Sequence, residues 1–158
     1  MKAPFEHFLK QKMLMERYLD PYRAEITSRP ENIAEQAAII WKCIYGVLFA
    51  YLDSNANWLV RTHEVLSASP VAELRRLCKA LGLEWTKTVE DDVVKYTRSG
   101  NLMTAPEGTV HQIRRDSAAI LSRWKEILTK EEIAGVYRIT RAVSDRLYSD
   151  EDWGDFSR

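Results

Sequence analysis

Two short stretches hold the residue types best suited to chemistry. In HQIRRDS, residues 111–117, Arg114 and Arg115 stand side by side in a loop just ahead of an expected helix start. A guanidinium fork grips two oxygens of a phosphate or sulfate at once, and the first amides of a helix lack partners, so both features favour a bound oxyanion. The plainer alternative is two solvated arginines, with Asp116 serving only as a helix cap. In WLVRTHEV, residues 58–65, a β-leaning run ends at His63 and Glu64, and in α/β proteins ligands meet a sheet at such strand ends. Adjacent residues on an extended chain point to opposite faces, so at most one of the two addresses a given ligand. A structural histidine and a turn-capping glutamate fill the same positions equally well.

Other chemistries lack their residues. His7 falls on an aromatic helix face and His111 in a loop, and neither has a Cys, Asp or Glu at ligand spacing, so no metal site is expected. Cys43 and Cys78 lie on apolar helix faces and read as small hydrophobes rather than as a disulfide framework. The GxSxG, GxGxxG and phosphate-loop patterns do not occur. Lys plus Arg (23) balance Asp plus Glu (23), and the five tryptophans have no basic stripe beside them, so neither nucleic acid nor an anionic membrane is an expected partner.

The elements that must position these residues are mostly helical. A total of 158 residues, 46% of them hydrophobic, suits one domain, here 1–150, with an acidic, fraying tail at 151–158. PFEHFLKQKMLMERYL carries an apolar stripe at helical spacing up to Pro21. Ser28, Arg29 and Pro30 read as the start of a long helix reaching about Asp53. Its run AAIIWKCIYGVLFAYL is 16 residues with Lys42 inside, short of the roughly 20 a membrane span needs, and reads as a buried helix. Trp58 to Thr62 reads as the one clear strand. Ser69 and Pro70 open a helix that Gly82 closes, and a further helix is expected over Thr86 to Tyr96. Residues 97–113 form a long loop, a helix begins at Asp116 or Ser117, and a capping box at Thr129 opens the last helix. The N-terminus has no secretory pattern, which places the chain in the cytoplasm.

In order, these pieces resemble the C-terminal half of a sulfotransferase of the family that uses 3′-phosphoadenosine 5′-phosphosulfate (PAPS). The resemblance is carried by WLVRTHEVLSASPVAELRRLCKALGLEW and then by RRDSAAILSRWKEILTKEE, with PFEHFLKQKMLMERYLDPYR and the long apolar helix ahead of them. Val65 stands where the family usually has Asp. The resemblance implies a partial sulfotransferase fold of α/β class, similar to P-loop kinases, and transfer of a sulfuryl group from PAPS to a hydroxyl or amine. His63 would lie near the adenine, and Arg114 and Arg115 would reach the 3′-phosphate of the nucleotide. The family's PKSGTTWL-like phosphate loop, its upstream 3′-phosphate motif and its catalytic base have no counterpart in residues 1–158, so no catalytic residue is assigned and the chain alone is expected to be inactive. A lone strand with no neighbours further implies a complementing chain or a homo-oligomer, or else a rearranged helical fold. The alternative is a non-catalytic helical protein-interaction module derived from a sulfotransferase.

Overall fold

The computed structural model describes residues 5–55, 57–103 and 114–153. Along the chain run α1 (Phe5–Lys10), α2 (Lys12–Leu14), α3 (Arg23–Ser28), α4 (Ile33–Asp53), α5 (His63–Ala68), α6 (Pro70–Ala80), α7 (Lys87–Thr97), α8 (Arg123–Ile127), α9 (Lys130–Ser144) and α10 (Asp150–Trp153). A π-helical turn at Met15–Leu19 and a 3₁₀ turn at Asp20–Tyr22 join α2 to α3, and a second 3₁₀ turn, Ala119–Ser122, leads into α8.

The α/β expectation is overturned. Helix makes up 72% of the structure and no strand occurs among the described residues, so the protein is all-helical. Residues 58–62 show why the β-leaning run fails to become a strand. Trp58 N–H donates to the Asn55 carbonyl at 3.2 Å and the Thr62 carbonyl accepts from Leu66 N–H at 3.2 Å, both local bonds. A strand exists only as part of a ladder, and β-propensity without a neighbour to pair with leaves a bare connection. Trp58, Leu59 and Val60 are accordingly exposed.

Internal contacts divide the chain into two compact units, Met1–Trp58 with Leu128–Arg158, and Leu59–Ile127. The first unit holds the apolar core. Phe5, Met15, Leu19 and Ile26, from the broken N-terminal helices, gather against Ile39 and Cys43 of α4. α4 starts at Asn32 rather than at Ser28–Pro30: the Asn32 side chain accepts from the amides of Ala34 at 2.7 Å and Glu35 at 3.1 Å, while Arg29 turns left-handed at φ 45° to close α3. Gly46 admits Tyr22 against α4, since a Cβ there would sit 1.7 Å from the Tyr22 hydroxyl.

α9 lies along α4 in the same direction. The helix starts meet at Asn32 and Glu132 (3.2 Å), Glu35 pairs with Arg138 (3.1 Å), and the far ends meet where Arg146 grips Asp53 with two bonds of 3.0 and 2.6 Å. Buried Ala38 and Gly135 are small residues on these two helices, and small side chains permit close approach. The tail expected to fray from residue 151 begins ordered: Tyr137 donates to Asp150 at 3.0 Å, and its ring meets Trp153 edge-on at 5.2 Å. Residues 154–158 lie outside the described residues.

The second unit is organised by polar contacts. α6 opens with Pro70 and ends in a Schellman arrangement in which Gly82, at φ 68°, donates to Lys79 and Leu83 donates to Cys78 at 2.8 Å. Thr86 caps α7. Trp85 donates to Glu90 and Arg75 pairs with the same carboxylate; the indole N–H first, then Arg75, holds that carboxyl below its usual range. Buried Glu73 bonds to Arg76 and lies 3.7 Å from Arg61. Ser67 and Glu73 are the buried residues of this unit among those described; every described apolar side chain in it is half-buried or exposed.

Candidate functional site

The segment around Arg114 and Arg115 has little regular structure, yet its backbone is fastened at several points. Arg115 N–H donates to the Tyr96 carbonyl at 2.9 Å, and the Asn101 amide donates to the carbonyls of Lys95 and Arg115 at 3.1 and 3.3 Å. Ser117 divides its hydroxyl proton between the Ser67 carbonyl at 2.9 Å and the Thr97 carbonyl at 3.2 Å. The C-terminal ends of α5 and α7 thus clasp one loop, and the carbonyls a helix end leaves unsatisfied find donors there.

Asp116 performs the capping role considered from sequence. Its carboxylate accepts from Ala119 N–H at 3.0 Å and from Gly100 N–H at 3.2 Å. Those bonds occupy the adjacent acid, and neither arginine joins an ion pair among the described residues. Arg114 is exposed. Arg115 is half-buried, and its Nη1 is shut off from solvent with no partner among the described residues. A buried guanidinium N–H without an acceptor is costly, and a phosphate or sulfate oxygen is a fitting acceptor.

His63 is exposed on the first turn of α5, not at the end of a strand, because Thr62 caps a helix by accepting from Val65 N–H at 3.3 Å. Its Nε2 lies 3.2 Å from the Ser67 hydroxyl. Since the Ser67 carbonyl takes the Ser117 bond, His63 is tied to the arginine loop indirectly, through one serine. The elements of all three site residues therefore fall in one unit, and no hydrogen bond joins His63 to either arginine among the described residues. Asn101, Ser67 and Ser117 were missed from sequence. Asn101 alone carried a signal, a small polar side chain in a glycine turn; the serines matter only because two helix ends converge on them.

Among the described residues no three His, Cys, Asp or Glu side chains gather as a metal would need. His111 and the loop residues 104–113 lie outside the described residues. Among the described residues, fold and site define an all-helical protein whose second unit presents an arginine pair without an ion-pair partner on a clasped loop. Comparison with protein-family models, with curated proteins and with solved structures finds no match.

Proposed function

We propose that this chain recognises the phosphate of an adenosine 3′,5′-bisphosphate-type nucleotide, as the cofactor-binding part of a PAPS-dependent sulfotransferase system that is inactive without a complement. The observation that carries this reading is Arg115 Nη1, buried and without an acceptor among the described residues, beside exposed Arg114 and next to Asp116, whose carboxylate is engaged by backbone amides. Sulfuryl transfer, like phosphoryl transfer, depends on surrounding the transferring group with fixed positive donors. Two arginines supply recognition at one end of a nucleotide, while the donors around the reacting centre would come from outside residues 1–158. His63 has the weaker part in this reading, since its ring bonds to Ser67.

The test is calorimetric titration of the chain with adenosine 3′,5′-bisphosphate at low and moderate salt. Binding at about micromolar strength, roughly −8 kcal/mol, is the expected result, abolished in Arg114→Ala/Arg115→Ala with the helical circular dichroism intact. Absence of heat from the unaltered chain, or equal affinity in the double variant, overturns the reading.

A second reading, a helical protein-interaction module, rests on a different observation: none of the described apolar side chains of the second unit is buried, and Leu59, Leu81 and Leu83 are about half exposed or more. Apolar surface in that amount favours a protein partner. A stable oligomer or complex that protects these leucines and is indifferent to nucleotide would favour this alternative over phosphate recognition.

A further inference from the structure

We propose that Ser117 is a phosphoacceptor, modified by a basophilic serine kinase, and that its phosphorylation opens the clasp between the arginine loop and the ends of α5 and α7. Two independent features point there. The first is register: Arg114 and Arg115 stand three and two residues ahead of Ser117, the spacing at which paired guanidinium groups can engage carboxylates of an acidic substrate groove while the hydroxyl reaches the transferring phosphate. The second is position, because the Ser117 hydroxyl fastens this loop to the Ser67 carbonyl and, beside the Ser117 backbone N–H, to the Thr97 carbonyl.

The reaction is a simple exchange. Ser117 Oγ attacks the γ-phosphorus of MgATP, the bond from that phosphorus to ADP breaks, and the hydroxyl proton passes to the kinase's carboxylate base. Ser117 is half-buried, so modification proceeds from a locally opened loop, and the product cannot close in the same way. A phosphoserine dianion has no proton at that oxygen to give to two carbonyls 2.9 and 3.2 Å away, and it repels both. Arg115, two residues back with Nη1 unpartnered among the described residues, and exposed Arg114 are cations able to receive it. The modification converts a donor that ties down the loop into an anion that competes for the loop's own arginines.

The experiment uses the full chain, a purified basophilic serine kinase and MgATP, with phosphopeptide mapping by mass spectrometry and hydrogen exchange of the product. Incorporation at Ser117 is expected, lost in Ser117→Ala and reduced at least about tenfold in Arg114→Ala, whose exposed side chain takes no part in the clasp. In the phosphorylated chain the amides of Arg115 and Ser117, bonded to Tyr96 and Thr97 in the structure, should exchange about tenfold faster, the usual effect of losing one hydrogen bond of ordinary strength. No incorporation, or incorporation at other serines with Ser117 bare, overturns the acceptor assignment. Incorporation at Ser117 with unchanged exchange overturns the opening of the clasp. Neither readout involves nucleotide bisphosphate, so this inference and the phosphate-recognition reading fail separately.

Discussion

At the scale of single residues, burial changes what a side chain can do. Cys43 lies in the core at 4% exposure, and burial first, with the nearby Glu25 carboxylate second, pushes its thiol from 9.0 up to about 11, partly offset by Lys42. The folded state favours the protonated thiol. Its contribution to stability is therefore complete below pH 9.0 and is lost as the pH climbs toward 11. Unfolding in urea at stepped alkaline pH should show Cys43→Ala losing less stability across that window than the parent chain, whatever its starting stability; parallel curves would refute the assignment. Sequence placed Cys43 on an apolar face and singled out the Arg114–Arg115 pair by adjacency. It did not reveal that Arg115 buries one nitrogen without an acceptor among the described residues, because that depends on packing by residues far along the chain.

At the scale of elements, several local signals are realised, though the Ser69 side chain makes no cap bond to α6 and the helix expected from Asp116 or Ser117 begins only at Arg123 after a 3₁₀ turn. The Thr129 capping box formed with Glu132 as its reciprocal partner, Pro70 took the first position of α6, and Gly82 closed that helix. The start of α4 moved to Asn32 because an Asn side chain satisfying two amides outweighs the Ser28–Pro30 signal. The two caps are also joined across the helix pair by the 3.2 Å bond from Asn32 to Glu132. Thr129→Ala should cost about 1 kcal/mol. Asn32→Ala and Glu132→Ala together should depart from additivity by about 0.5 kcal/mol or more. Urea unfolding of the four members of that cycle measures it, and strict additivity would mean that the bond between caps contributes nothing.

At the scale of the whole molecule, the buried apolar side chains among the described residues all lie in the unit formed by Met1–Trp58 and Leu128–Arg158; the unit Leu59–Ile127 has Ser67 and Glu73 as its buried described residues. Local stability follows buried apolar contact. Native-state hydrogen exchange should therefore find the slowest amides in α4 and α9, with those of α5, α6 and α7 exchanging at least about tenfold faster. Uniform protection across both units would contradict this. A partner that covers the second unit should slow its exchange and leave α4 and α9 nearly unchanged.

By itself the sequence determined the helices whose caps, stripes and stops lie within a few residues of one another, and it singled out the adjacent arginines as a candidate site, with two solvated arginines as the plainer alternative. Tertiary structure alone decided the fates of the run 58–62 and of the loop at 114–117. A strand needs a neighbour's backbone to exist, and none is paired with Trp58–Thr62 among the described residues, so β-propensity there came to nothing. The loop acquired its form from the carbonyls at the ends of α5 and α7, and a long-range hydrogen bond of that kind leaves no trace in local sequence, since either partner looks like an ordinary polar residue until the chain has folded.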